Sequence, residues 1–224
     1  MKVAVIIPVY NEEQALPLVL RELPRERVSE VLVVDNGSTD LTFAVAQEAR
    51  VKVLFEPRRG YGRACQSGLR DVSPDTDVVV FLDGDHSDYP EELPALLEPI
   101  ALGAADLVIG SRVLGRAAPG SLAPQQRIGN WLACRLIALR FGRRFTDLGP
   151  FRAIRYAPLQ GLQLRDPAFG WNVEMHLKAL KAGLRIVEVP VRYRPRIGRS
   201  KISGTVLGTL RAGVGILGTI ARHW

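Results

Sequence analysis

The chain has 224 residues, 47% of them hydrophobic and 24% charged, which allows one sizeable domain or two small ones and excludes a wholly disordered chain. Its 30 Lys and Arg against 23 Asp and Glu leave a net charge of +7, unevenly spread: residues 1–112 hold 11 basic and 19 acidic side chains, residues 113–224 hold 19 and 4. A uniformly basic nucleic-acid binder would not be divided in this way, and no RNA- or DNA-binding motif is present; an acidic half suited to a metal and a basic half facing an anion fit better.

The first half alternates strands and helices. Val3–Ile7 is a continuous apolar run, as expected of a strand buried on both faces of a parallel sheet. Glu12–Leu23 reads as a helix, Val31–Val34 as a second strand ending at Asp35, and Asp40–Ala49 as a helix with Thr39 or Asp40 near its N-cap. Val51–Phe55 is a third strand, Gly62–Leu69 opens a helix, and Val78–Leu82 is a fourth strand ending at Asp83. This rhythm predicts a doubly wound α/β sheet, whose ligands bind beyond the carboxyl ends of the strands. Ala117–Pro124 is loop-like, with Pro119, Gly120 and Pro124. Gln126–Phe141 reads as a helix with Ile128, Trp131, Leu132, Leu136 and Leu139 near one face. Phe169–Ala182 is another helix, stopped by Gly183, and Ile186–Tyr193 alternates like a strand. Arg194–Lys201 is a basic loop before a last helical pattern, Ile202–Trp224, in which Leu207, Leu210, Val214, Leu217 and Ala221 share a face.

Polar residues stand at three strand ends. Asp83-Gly84-Asp85 places two carboxylates two residues apart, a pair that can hold Mg²⁺ or Mn²⁺ and leave sites for phosphate oxygens. The same triplet also occurs in ordinary exposed turns. Tyr10, after Pro8-Val9, can pack on a base or ribose, and Asn11 and Glu12 offer hydrogen bonds. Asp35 can accept from a base N–H; the bland alternative is a turn with a helix cap. Gly60-Tyr61-Gly62, flanked by Arg58, Arg59 and Arg63, can cradle phosphates or be a surface loop. A dinucleotide oxidoreductase is excluded because Pro8-Val9-Tyr10-Asn11 stands where its glycine-rich turn belongs. Cys65 and Cys134 form no disulfide framework or zinc cluster and read as buried apolar filler.

Together these segments resemble the family 2 glycosyltransferases of GT-A fold, and within them the polyprenyl-phosphate branch typified by dolichyl-phosphate mannose synthases. The resemblance runs over nearly the whole chain. Ile7–Glu13, Val34–Asp40 and Asp83-Gly84-Asp85 look like that family's base, ribose and metal segments, and Gly110-Ser111-Arg112 like the segment after the next strand. Thr146–Ala153 resembles its acceptor-side motif; Glu174-Met175, Glu188–Val191 and Arg196–Lys201 resemble the end of its catalytic domain. The resemblance implies an enzyme, a hexosyltransferase working with inversion on a nucleotide sugar, GDP-mannose or UDP-glucose, with Mg²⁺ or Mn²⁺. Two positions depart from the branch. Ser87 replaces a common Gln, with Asp88 as a substitute carboxylate, and Arg199 replaces a common Glu.

Inverting transfer to a hydroxyl needs a general base, whereas a phosphate monoester is already ionised near neutral pH and needs positioning. The arginine-rich second half suits an anionic acceptor, so Arg127, Arg199, Ser200 and Lys201 are assigned to a polyprenyl phosphate, while Arg112 and Glu174 are candidate substrate-binding residues. Asp147 is the candidate for placing or activating the acceptor, and Glu174 is equally a structural ion pair with an arginine of the same half. The alternatives are a hydroxyl acceptor with Asp147 or Glu174 as base, and a non-catalytic nucleotide-sugar-binding protein. Residues 1–201 then form the catalytic domain, with a donor half (1–112) and an acceptor half (113–201), followed by an amphipathic helix over 202–224. Met1-Lys2 leads straight into a strand and no run reaches roughly 18 apolar residues, which predicts a cytosolic chain. A lipid acceptor places it at an anionic membrane surface through Arg127–Arg144 or the last helix, where a membrane-embedded partner subunit has room to act.

Overall fold

The computed structural model describes residues 1–198 and 206–223, and for 206–212 the backbone alone. Arg199, Ser200 and Lys201 therefore lie outside the described residues. Seven strands form one sheet: β1 (Val3–Val9), β2 (Glu30–Asp35), β3 (Lys52–Phe55), β4 (Val78–Phe81), β5 (Leu107–Ala117), β6 (Arg152–Arg155) and β7 (Ile186–Tyr193), in the order β3-β2-β1-β4-β6-β5-β7. All run parallel except β6, which is antiparallel to both β4 and β5. The described helices are α1 (Leu16–Glu22), α2 (Thr42–Glu48), α3 (Tyr61–Arg70), α4 (Leu93–Ala101), α5 (Pro124–Phe141), α6 (Tyr156–Leu162), α7 (Trp171–Lys181) and α8 (Val206–Arg222).

Alternate residues of the central strands feed two cores. Ile6, Leu32 and Phe81 pack with α3, α5, α6 and α7 on one face; Ile7, Val33 and Val80 pack with α1, α2 and α4 on the other. Burial on both faces is why these strands are apolar without alternation.

The sheet directions decide where the polar residues meet. Parallel β1, β2 and β4 end on one edge, with Val9 opposite Asp35. Antiparallel β6 starts at that edge, with Arg152 opposite both Phe81 and Ile109, so the Thr146–Phe151 segment is delivered there too. Strands β5 and β7 exit at the same edge, with Ala117 opposite Tyr193.

Several boundaries differ from the sequence expectation. The first helix starts at Leu16, because Asn11 takes a left-handed φ of 53° and the Glu12 carbonyl closes a turn on Ala15 and Leu16. The second starts at Thr42, whose N–H donates to Asp40 Oδ1 (3.0 Å). Strand β5 continues through Ala117, shortening the expected loop. Of the expected apolar face of α5, Ile128, Trp131, Leu132 and Leu139 are exposed, while Ala133, Cys134 and Ile137 face the core. In α8, Val214 and Leu217 are exposed and Thr219 and Ile220 are buried, so the expected stripe points outward at these positions.

Candidate active site

A cavity of about 470 Å³ opens where β1, β2 and β4 end. Pro8, Tyr10, Glu12, Asn36, Arg59, Gly60, Tyr61, Asp83, Gly84, Asp85, Phe169 and Arg196 are among its lining. Asn11 joins two strand ends: its N–H donates to Ser38 Oγ (3.0 Å), and its Oδ1 accepts from Thr39 N–H (2.8 Å). Asp35 is buried and accepts from Ser38 N–H (2.8 Å). Neither is among the residues that line the cavity, and the Ser38 contact gives Asp35 the turn of its alternative reading, which is compatible with the first. Asn36, which the sequence reading did not select, donates to the Glu56 and Arg58 carbonyls (2.9 and 2.8 Å) and accepts from Gly60 N–H (2.7 Å). This holds Arg59 with its guanidinium 3.3 Å from the centre of the Tyr10 ring, a platform for a planar base.

The glycine loop spends part of its hydrogen-bonding capacity within the protein. Gly60 N–H is used by Asn36, and Arg63 N–H donates to the Pro167 carbonyl (3.1 Å). A Cβ at Gly62 would overlap the Asp166 carbonyl oxygen, and one at Gly60 the Pro167 carbonyl oxygen. The glycines are there so that α3 can approach the 166–167 backbone. Arg63 does not line the cavity.

Asp83 Oδ1 is buried without a hydrogen-bond partner. Burial and then the Asp85 charge push the Asp83 carboxyl up to about 6. Asp85 Oδ1 accepts from the Ser87 N–H (3.0 Å) and hydroxyl (2.5 Å), and Asp85 Oδ2 pairs with Arg196 Nη1 (2.7 Å). The 194–197 segment runs beside this turn: Arg194 N–H donates to the Ser87 carbonyl and Ile197 N–H to the Asp85 carbonyl. An orphaned carboxylate oxygen next to a second carboxylate suits a hard cation. Among the described residues no three His, Cys, Asp or Glu side chains are grouped to hold an ion, so ligand oxygens would have to complete the shell. Ser87 is committed to Asp85. Asp88 is buried with both oxygens unpartnered, and burial and then the Asp83 and Asp85 charges push its pKa well up; it is not among the residues that line this cavity.

On the acceptor side, Arg112 grips Asp147: Nε to Oδ2 and Nη2 to Oδ1 are each 2.7 Å, and Arg112 N–H to Oδ2 is 2.9 Å. Burial opposes the Arg112 charge, but Asp147 outweighs it and holds the guanidinium above the usual arginine range. Thr146 and Asp147 N–H groups donate in turn to Glu188. Arg152, wholly buried, donates to the Leu148, Gly149 and Asn172 carbonyls and fixes the same loop. Both Asp147 oxygens are thus occupied by Arg112, an arrangement that suits a positioning residue. Glu174 is also committed: Oε2 accepts from Arg165 and Asp166 N–H (2.9 and 2.6 Å), and Oε1 pairs with Lys178 (2.8 Å). Burial opposes its charge, while Lys178 and these N–H groups more than offset that and lower its pKa. It pins a loop and lines none of the cavities described here, and its partner is a lysine and not an arginine.

Two further cavities continue the first. A slot of about 310 Å³ between α5 and α8 shares Tyr61, Asp83, Phe169 and Arg196 with it. A groove of about 980 Å³ between β5 and α5 shares Arg112, Gln126, Asn130 and Tyr193 with the slot and includes Arg127. Arg196, Phe169 and Asn130 escaped selection because each stands far in sequence from the strand ends it serves; Arg196 was touched only by the resemblance, through Arg196–Lys201, and Tyr61 only as part of the glycine loop.

The glycosyl transferase family 2 model matches residues 4–162. An undecaprenyl-phosphate mannosyltransferase of Micrococcus luteus is 36% identical over 99% of this chain and 96% of its own. A polyprenol monophosphomannose synthase of Mycolicibacterium smegmatis is 32% identical over 90% of this chain and 81% of its own. Glucosyl-3-phosphoglycerate synthase from Mycobacterium tuberculosis, solved with Mn²⁺, UDP and glucosyl-3-phosphoglycerate, superposes with a TM-score of 0.79 at 23% identity, over 99% of this chain and 79% of that one. The chain belongs to glycosyl transferase family 2 and has the GT-A fold.

Proposed function

We propose that the chain transfers a hexose from a nucleotide sugar to a polyprenyl phosphate, with inversion, at the cytoplasmic face of a membrane. The observation that supports this most is the continuity of the three cavities, from the Tyr10–Arg59 platform past Asp83 to an arginine-lined groove. The names of the polyprenyl-linked relatives favour mannose as the sugar. Residues 1–112 supply most of the donor side and 113–201 most of the acceptor side, with Arg112 reaching the groove and Phe169 and Arg196 the donor cavity, and α8 lies at the flank.

Asp83 and Asp85 would hold Mg²⁺ or Mn²⁺, which supplies charge neutralisation for a departing diphosphate. Asp83 contributes the open oxygen. Arg196 brings a second positive charge to the mouth shared by the donor cavity and the slot. Arg112, held by Asp147, and Arg127 face the groove and orient an anionic nucleophile; Arg199, Ser200 and Lys201 complete that set in this reading. A phosphate oxygen carries its own charge, so positioning is what the protein must provide. The commitment of Asp147 and Glu174 to other partners favours this acceptor over a hydroxyl, which would need one of them free as base. None of the described helices is long and apolar enough to cross a membrane, so the contact proposed is a surface one.

The test is incubation with GDP-mannose or UDP-glucose, Mg²⁺ or Mn²⁺ and a short-chain polyprenyl phosphate. An acid-labile lipid-linked hexose is expected. Transfer only to hydroxyl acceptors would overturn the reading.

A further inference from the structure

We infer that the groove between the outer end of β5 and α5 also binds an anionic phospholipid of the bilayer, at arginines separate from those that orient the acceptor. The groove wall carries Arg116 from β5, Arg127 and Arg135 from α5, and Arg144 just beyond it. Arg116, Arg127 and Arg144 make no ion pair among the described residues, and Arg135 has only the Trp131 ring, 5.8 Å away. The one carboxylate on the wall, Asp147, is spent on Arg112. One phosphate monoester brings about two negative charges, which Arg112 and Arg127 answer in the proposed function. Arg116, Arg135 and Arg144 then remain without an anion.

Guanidinium groups crowded around a partly apolar groove select an anion that carries hydrocarbon. The surrounding surface points to a bilayer as its source. Ile128, Trp131, Leu132 and Leu139 are 65%, 60%, 39% and 79% exposed on the same helix, an aromatic and three aliphatics between arginines. Such a face lies in the headgroup region, with the ring at the boundary and the arginines reaching phosphates.

The test uses the full chain and vesicles without donor or polyprenyl phosphate. Sedimentation with phosphatidylglycerol–phosphatidylcholine vesicles should show binding that pure phosphatidylcholine does not support and that falls with salt. Arg116→Gln with Arg144→Gln should weaken it by about 25-fold, roughly 5-fold per arginine. Arg116→Lys with Arg144→Lys should restore most of it, and turnover on a water-soluble short-chain acceptor should stay within about 2-fold in all variants. Equal binding to both vesicles, or wild-type binding by the Gln pair, would overturn the inference. So would release by inorganic phosphate beyond that by chloride of equal ionic strength, which would mark a free-phosphate site. The inference rests on the proposed function only for giving Arg127 to the acceptor. Vesicle binding without lipid-linked product would sink that reading alone, and product without selective vesicle binding would sink this one alone.

Discussion

Arg196 Nη1 sits 2.7 Å from Asp85 Oδ2, an oxygen of the carboxylate pair that would hold a divalent ion. Burial opposes its charge, but Asp85 outweighs that, and the Arg196 pKa is raised. An ion arriving without nucleotide therefore competes with a fixed cation. Arg196→Met should bind Mn²⁺ more tightly in the absence of nucleotide, on the order of tenfold, the equivalent of about 1.4 kcal/mol. Electron paramagnetic resonance titration reads this directly, and equal or weaker binding would remove Arg196 from the ion's place. Transfer should slow in the same variant, since Arg196 borders both the donor cavity and the slot.

The Arg112–Asp147 pair should behave as one unit. Removing either partner leaves a buried charge alone, so Asp147→Asn and Arg112→Met should each cost about 3 kcal/mol of stability. The double variant should cost little more than either single one. Chemical denaturation measures the cycle. Asp147→Asn should raise the acceptor KM without removing a limb from the pH–rate profile, whereas loss of the acidic limb would restore Asp147 as a base.

Gly62→Ala should be costly, because the new Cβ meets the Asp166 carbonyl oxygen, a backbone atom that cannot step aside. About 2–3 kcal/mol of destabilisation is expected, together with a higher donor KM as Gly60 and Tyr61 shift on the cavity wall. Gly161 in α6 has open space around it, and Gly161→Ala should stabilise by about 0.5–1 kcal/mol. Thermal denaturation of the two variants gives opposite signs if the packing argument holds.

His176 is wholly buried on α7, edge-on to Phe145 at 4.1 Å, with neither ring nitrogen hydrogen-bonded. Burial first, then the Arg152 and Arg143 charges, lower its pKa well below the usual 6.5. The unfolded chain then binds the proton that the folded one refuses. The stability held by the neutral ring is complete above pH 6.5 and is lost as pH falls, by at most about 1.4 kcal/mol per pH unit. The raised pKa of Asp83 acts with the opposite sign below about 6. The difference between wild type and His176→Gln isolates the histidine: it should grow with pH up to about 6.5 and level off, and a flat difference would contradict the assignment.

Strands β1, β2 and β4 are legible because burial on both faces leaves uninterrupted apolar runs, and β7 begins and ends where its alternation does. Strand β6 is not: its four residues begin and end with arginine, and Arg152 is buried only because three carbonyls wait for it. Helix α4 was masked by Pro94 and Pro99, the first tolerated at its start and the second inside it. At the site, Asp83 and Asp85 stand out by spacing and by their strand end. The commitments of Asp147 to Arg112 and of Glu174 to Lys178 and two loop N–H groups arise from tertiary contact, so the sequence leaves those acids looking free.

The central claim is that Asp83 and Asp85 seat the ion that binds the donor diphosphate. Anomalous scattering from crystals soaked with Mn²⁺ and GDP or UDP tests it most directly. The account expects one manganese peak between the two carboxylates, bridged to the diphosphate, with Arg196 moved off Asp85. A nucleotide bound on Tyr10 and Arg59 with no peak at that pair, or a peak elsewhere, would contradict it.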